Sequence, residues 1–222
     1  MGCSISALDA LLDDGYHVSG SLHGGFHHAF ANRCTSSQLF NDIAVVTALA
    51  LKKYGLKKIL VMDLDVERGD GTASIFQRHE NVVTLSIHAS SDKVSEAGFG
   101  DFDIECEPKT SDAQYGYMVR QTVPRVIAQV KPELLIFQGG VGMIGSDSRH
   151  LMKLSRKAIR DRNSVVFLEA LKQKIPVLVL RGSGIAPPDD EFQQQEIVEA
   201  HADLYRSALQ SIVQHNHRLF YF

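Results

Sequence analysis

The chain has 222 residues, which is enough to bury a sizeable core and is most economically a single domain covering residues 1–222. Its hydrophobic share of 44% and charged share of 22% are typical of a soluble globular protein. The net charge of -3 and the absence of a Lys/Arg-rich block argue against direct binding to nucleic acid, and no apolar run is long enough to span a membrane.

The three cysteines, Cys3, Cys34 and Cys106, are odd in number and widely spaced. This pattern argues against a disulfide framework and against a thiolate zinc site. It favours a reducing compartment, and we therefore expect a cytoplasmic location.

Helical and strand patterns alternate along the chain. Helices are predicted over residues 4–14, 41–54, 113–130, 164–174 and 191–215, and strands over residues 58–66, 81–87, 133–137 and 175–180. Such alternation indicates an α/β fold, a three-layer sandwich with a mainly parallel central sheet. The loops that follow the parallel strands should therefore meet at one edge of the sheet.

The strand predicted over residues 58–66 ends in a row of acids. Asp63 and Asp65 lie two residues apart and would point the same way on a strand, and Glu67 continues that face. Asp70 follows in a Gly-Asp-Gly sequence. Carboxylates this close repel one another unless a metal cation, an arginine or a buried histidine compensates.

Histidines are predicted at the same edge. His27 and His28 follow Gly24-Gly25, a turn sequence that allows both side chains to face one cavity, and His88 ends the next strand. Two histidines with several carboxylates suit either a metal-dependent hydrolase or a general acid–base site.

Several ordered motifs resemble one family. The chain is similar to the histone deacetylase/acetylpolyamine amidohydrolase family, which has the arginase/deacetylase fold, and most of all to its small bacterial class IV-like members. The matching segments are residues 24–30, 40–44, 61–72 and 85–88. The resemblance implies an additional strand and helix before the paired histidines, so we expect this chain to be shortened at its N-terminus.

The family's acid–base residues are retained. The resemblance implies that His27 and His28 carry the proton transfers and that Asp63 and Asp70 orient them. It also implies a structural potassium ion bound around Asp63, Asp65 and Ser86.

The family's metal-binding residues are altered. The resemblance implies a zinc ion held by Asp, His and Asp, and a Tyr that steadies the oxyanion. Asp65 matches the first ligand, but Glu67 replaces the His, and the second Asp and the Tyr correspond to Gly142 and Ile185. These changes together predict that zinc is absent or weakly bound, and that deacetylation is lost or strongly reduced.

Two hypotheses follow from this altered site. The first is a non-catalytic binding or regulatory relative that recognises an acyl-lysine or polyamine-like ligand, a protein partner or a second copy of itself. The second is an active but altered metal-dependent amidohydrolase that uses Asp65 and Glu67 with the His27/His28 pair, and Asp147 as a spare ligand. A third expectation concerns Arg68, whose guanidinium could replace the metal as the partner of the carboxylates.

Overall fold

A computed structural model describes residues 1–35, 38–90, 98, 100–144 and 152–219, without the side chains of residues 217–219. Within these residues lie six helices and six strands. The helices are α1 (Gly2–Asp13), α2 (Asp42–Lys52), α3 (Asp70–Phe76), α4 (Asp112–Val130), α5 (Arg156–Lys172) and α6 (Glu191–Leu219). The strands are β1 (Val18–Ser21), β2 (Ile59–Asp63), β3 (Val82–Ala89), β4 (Phe102–Cys106), β5 (Leu134–Gln138) and β6 (Val177–Leu180).

The described strands form one sheet in the order β1-β6-β5-β2-β3-β4, and every neighbouring pair is parallel. This confirms the predicted α/β fold with a parallel central sheet. Strand β2 lies between β5 and β3, and its last residue, Asp63, is paired with Gln138 on one side and Ser86 on the other. The sheet therefore brings the ends of three strands together at one edge.

Alternate residues of the strands enter two different hydrophobic cores. Ile59 and Val61 pack with α1 and α2 on one face of the sheet, whereas Leu60 and Met62 pack with α4, α5 and α6 on the other. All five residues of β2 are buried because helices cover both faces. The arrangement is the three-layer sandwich that the alternating pattern predicted.

Polar residues set the beginnings of three helices. The side chain of Asn41 accepts a hydrogen bond from the Ala44 N–H and caps α2. Ser111 and Gln114 form a reciprocal capping box at α4, and Ser155 caps α5. The helix predicted over residues 41–54 therefore has its cap at Asn41.

Several predicted boundaries were wrong. Strand β2 ends at Asp63 rather than at residue 66, so Asp65 and Glu67 lie in a loop rather than on a strand face. Helix α5 begins at Arg156 rather than at residue 164, because its first turns are charged and show a weak apolar stripe. Strands β1 and β4 lie at the two edges of the sheet and were missed because each is short and carries polar residues.

No helix in the described part of the chain has the length and the apolar content to cross a bilayer.

Candidate functional site

The loop between β1 and α2 carries the paired histidines. Asp42, at the start of α2, accepts hydrogen bonds from the backbone N–H groups of Gly25 (3.1 Å) and Phe26 (2.8 Å). Gly25 has φ +86°, and a Cβ added there would lie 2.6 Å from the Gly182 nitrogen. The buried carboxylate and this close approach fix the backbone just before His27.

His27 and Asp63 form a buried pair. His27 Nδ1 lies 2.6 Å from Asp63 Oδ2, and the histidine side chain is only 1% exposed. Burial disfavours the imidazolium, but the neighbouring Asp63 carboxylate outweighs it and raises the pKa of His27. The arrangement orients the ring and leaves the pair able to hold a proton.

His28 is held between two carboxylates. Its Nδ1 lies 2.8 Å from Asp70 Oδ1, and its Nε2 lies 3.1 Å from Glu67 Oε2. Partial burial lowers the pKa of His28, but the hydrogen bonds to Asp70 and Glu67 raise it to about 10. Asp70 thus contacts one ring nitrogen of His28, and Glu67 contacts the other.

Asp65 is completely buried behind the histidine pair. Its carboxylate accepts hydrogen bonds from Gln138 Nε2 (2.6 Å), from the Ser183 N–H (2.8 Å) and from the Ser183 hydroxyl. Burial raises the pKa of Asp65, whereas the charge of His27 and these hydrogen bonds lower it, and the net shift is downward. Neutral donors from β5 and from the loop after β6 thus satisfy this carboxylate.

A buried arginine supports the loops around Asp65. Arg162 of α5 is 1% exposed, and its guanidinium donates to the carbonyl oxygens of Leu64 (2.8 Å), Gly140 (2.8 Å) and Gly139 (3.2 Å). These carbonyls belong to the segments that follow β2 and β5. Arg162 therefore holds together the two loops that carry Asp65 and Gly142.

The fit of the family's zinc ion can be tested at Gly142. A Cβ there would lie 2.5 Å from Ser183 Oγ and 2.7 Å from Val66 Cγ1, so the neighbouring side chains occupy the space that an aspartate would need. Glu67 pairs with His28, and within the described ranges no group of three or more His, Cys, Asp or Glu could hold a metal ion. These donors do not fit a zinc ion of the family's type. Asp147 lies outside the described residues.

The expectation for Arg68 was wrong. Its Nη2 donates to Asp103 Oδ2 at 2.8 Å and to the Gly98 carbonyl oxygen. The described donors to the Asp65 side chain do not include it, since they come from Gln138, Ser183 and the Val66 N–H. The guanidinium fastens the loop after β2 to the β3–β4 region instead.

The residues of the predicted potassium site lie beside one another. Asp63 and Ser86 are paired across β2 and β3, and Ser86 Oγ lies 2.9 Å from His88 Nδ1. A potassium ion bound there stays a prediction.

A cavity of about 330 Å³ opens above these residues. Its polar lining includes His27, His28, Glu67, Arg181 and Gln193, and its apolar lining includes Phe26, Ile144, Ile185 and Ile197. Ile185, at the position of the family's tyrosine, is 85% exposed and brings no hydroxyl group. The cavity is of the size that small-molecule sites have in proteins.

Sequence reasoning placed the histidines and acids at this edge but missed their partners. The strand predicted over residues 133–137 ends one residue before Gln138. Arg181 and Ser183 follow the strand predicted over residues 175–180, and the sequence assigned no role to them. The available signal was their position, Gln138 at the end of β5 and the other two residues just after β6. Nothing in the pattern around Arg162 indicated a buried arginine, because it lies in a charged stretch of α5.

Known proteins resemble the chain over most of its length. The family model of the histone deacetylase domain matches residues 1–200. An uncharacterised protein of Picosynechococcus sp. is 29% identical over 83% of this chain and 60% of its own length. The acetoin utilization protein AcuC of Staphylococcus xylosus is 29% identical, and that of Staphylococcus aureus strain Mu50 is 28% identical, each over 64% of this chain. The chain spans about 40% of the length of these AcuC proteins.

Proposed function

The chain belongs to the histone deacetylase family, and from that membership we propose that it is a non-catalytic member that binds its ligand without hydrolysing it. The ligand would be an acyl-lysine or a polyamine-like molecule in the cavity above His27 and His28, and the role would be binding or regulation. A protein partner, a second copy of the chain and a cytoplasmic location stay predictions.

The observation that carries the proposal is the environment of Asp65. Its carboxylate already accepts three hydrogen bonds from Gln138 and Ser183, so a metal ion would have to displace these donors. A buried carboxylate loses strong, charge-assisted hydrogen bonds when its donors leave. Because Gly142 stands in place of the second aspartate, the bonds from the remaining ligands to a metal ion would not offset the lost hydrogen bonds.

The histidine pair supports the same proposal. A general base must have a free ring nitrogen within reach of the proton that it accepts. At His28 both ring nitrogens lie within hydrogen-bond distance of a carboxylate, because Glu67 reaches Nε2. Glu67 therefore acts as a cap on the histidine rather than as a metal ligand.

The oxyanion position weakens catalysis further. Removal of a single oxyanion donor costs about 10²–10³ in rate in well-studied hydrolases. Ile185 supplies no hydrogen-bond donor from its side chain, so this loss adds to that of the metal.

One observation favours the alternative, an active but altered amidohydrolase. The pairs His27–Asp63 (2.6 Å) and His28–Asp70 (2.8 Å) keep the geometry of an acid–base site. If Glu67 turned from His28 toward Asp65, the two carboxylates would form a site closer to the preferences of Mg²⁺ or Mn²⁺ than to those of zinc.

Metal content and hydrolysis distinguish the two functions. Elemental analysis of the purified chain should find zinc, magnesium and manganese well below one ion per chain. A fluorogenic acetyl-lysine substrate should be hydrolysed no faster by the wild type than by His28→Ala, with or without added zinc. The proposal is wrong if metal-dependent turnover appears and vanishes in His28→Ala.

Binding is the second half of the test. A fluorescently labelled acyl-lysine peptide and a labelled acetylated polyamine should be titrated with the full chain, and polarisation should rise to saturation for one of them. Filling the cavity from its wall with Ile185→Trp should weaken that binding, whereas Leu209→Trp on the exposed face of α6 should not. Failure of both ligands to bind would exclude the binding role.

A further inference from the structure

Arg181 places a positive charge in the wall of the cavity. It follows directly after β6, lines the cavity, and is only partly exposed. Its Nε is buried without a hydrogen-bond partner, and the guanidinium forms no ion pair or hydrogen bond with any other described residue. A buried, unsatisfied donor on a charged group is costly, and an anionic ligand would relieve that cost.

Gln193 adds a second unsatisfied group to the same cavity. This residue of α6 is 6% exposed, and its buried side-chain Oε1 accepts no hydrogen bond from any residue that the structure describes. A buried amide oxygen requires an N–H or O–H group. A ligand that satisfies the cavity therefore carries both a negative charge for Arg181 and a donor for Gln193.

The remaining lining limits the ligand's charge and shape. Ile144 and Ile197 supply apolar surface on the wall, and Phe26 and Ile185 are exposed apolar residues that also line it. Glu67 lines the cavity as well and would repel a second negative charge near it. A single carboxylate at the end of an apolar chain fits better than a polyanion such as inorganic phosphate.

We propose that the cavity recognises a carboxylate-ended acyl group, with Arg181 binding the carboxylate and Gln193 accepting a hydrogen bond from the ligand. A lysine acylated by a dicarboxylic acid carries both features, because its amide supplies the N–H and its acyl chain ends in a carboxylate. The planar guanidinium is suited to a carboxylate, with which it can form two parallel hydrogen bonds. The inference rests on the proposed binding function, and it disfavours the polyamine-like ligand, which Arg181 would repel.

The test compares four probes by isothermal titration calorimetry with the full chain. The probes are a succinyl-lysine peptide, the same peptide acetylated, free succinate and acetylputrescine. The succinyl-lysine peptide should bind about tenfold to a hundredfold more tightly than the acetylated peptide, as expected for hydrogen bonds to a charged group. Acetylputrescine should bind most weakly.

Matched arginine variants assign the effect to one side chain. Arg181→Gln should remove the preference for the succinyl-lysine peptide, and Arg181→Lys should keep part of it, because lysine retains the charge without the planar fork. Arg125→Gln, on the exposed side of α4, is the control and should bind as the wild type does. Circular dichroism of each variant verifies that it is folded.

The outcomes separate this inference from the function on which it rests. Equal affinity for the two peptides, or a preference that survives in folded Arg181→Gln, overturns the inference and leaves acyl-lysine binding intact. If free succinate binds as tightly as the succinyl-lysine peptide, the acyl-lysine part of the inference is overturned, because succinate carries no N–H for Gln193 and has a second negative charge near Glu67. Metal-dependent hydrolysis would overturn the proposed function without bearing on the choice of acyl group.

Discussion

The two halves of one sheet edge satisfy their buried carboxylates in different ways. In the histidine half, His27 and His28 each keep a carboxylate at Nδ1, at 2.6 and 2.8 Å. In the Asp65 half, the carboxylate is surrounded by neutral donors from Gln138 and Ser183. The two halves are adjacent and lie on the same strand ends.

The comparison shows that neighbouring buried carboxylates can be satisfied in two ways, by a histidine ring or by neutral hydrogen-bond donors. A buried carboxylate without a partner would be strongly destabilising, so Asp65 requires hydrogen-bond donors around it. Gln138 supplies such a donor from the end of β5, the neighbour of β2, and Ser183 supplies it from the loop after β6, the next strand of the sheet. In the histidine half, the two rings lie against the carboxylates of Asp63 and Asp70 and compensate their charge.

Rebuilding the metal site should have the largest effect on this contrast. We consider the triple variant Glu67→His, Gly142→Asp, Ser183→Gly. Its first two substitutions add two zinc ligands to Asp65, which makes three. The third removes the hydroxyl that lies 2.5 Å from a Cβ at residue 142. The zinc content measured by elemental analysis should rise to about one ion per chain. The Val66 side chain must rotate to admit the new aspartate, because its Cγ1 lies 2.7 Å from that Cβ.

Gly142→Asp alone is the matched control for the rebuilt site. With Ser183 and Glu67 retained, it should bind no zinc and should lower the free energy of unfolding, because the added side chain meets Ser183 and Val66. Equal zinc content in the single and triple variants would show that Ser183 does not exclude the metal.

Removal of the arginine that holds the Asp65 half should have the next largest effect. Arg162→Met takes away the donor to the carbonyl oxygens of Leu64, Gly139 and Gly140, and we expect the free energy of unfolding to fall by about 3–5 kcal/mol. Urea denaturation followed by circular dichroism measures it.

Arg160→Met on the same helix is the control for Arg162. The Arg160 side chain is 48% exposed, and its nearest carboxylate oxygen, on Asp203, is 3.8 Å away. Loss of such an exposed pair costs about 0–1 kcal/mol. If both variants lose the same free energy, the buried guanidinium has no special role in holding the loops.

The smallest expected effects compare one acid from each half. Asp65→Asn turns one of the two carboxylate oxygens into an NH₂ donor, and either oxygen faces two donors, so we expect a loss of about 2–4 kcal/mol in the free energy of unfolding. Asp70→Asn weakens a pair in which the aspartate is 29% exposed, so about 1 kcal/mol should be lost.

Thermal and urea denaturation of the two aspartate variants, measured side by side, tests the ranking. Were Asp70→Asn the more destabilising, the ionic half and not the neutral-donor half would contribute more to stability.

The sequence predicted the helices with strong patterns and the strands with continuous apolar runs. Strands β2, β3, β5 and β6 were each found within two or three residues of their ends, because they are buried on both faces and lie between turn residues. Strand β4 was missed because Phe102–Cys106 alternates apolar and acidic residues at a sheet edge. Helix α3 was missed because its first residues, Asp70 and Gly71, were interpreted as a turn.

The candidate site was predicted in part. Chain order and the parallel sheet were enough to place His27, His28 and the four acids at one edge. The capping of His28 by Glu67 was not predictable, because hydrogen bonds between loops depend on the path of the backbone rather than on sequence spacing. Arg68 was assigned to the wrong partner for the same reason.

The amino-acid sequence by itself determined the α/β class, the parallel sheet and the family, since these depend on periodicity and on residue types within short motifs. Only the tertiary structure decided which donors surround Asp65 and that Arg162 holds its loops. It also decided that, in the described part of the chain, Arg181 Nε and Gln193 Oε1 lie buried without a hydrogen-bond partner. The bonds from Gln138 and Ser183 to Asp65, and from Arg162 to Leu64, join residues 73 to 118 positions apart, and the state of Arg181 and Gln193 depends on burial. Such contacts arise from packing, which no local pattern encodes.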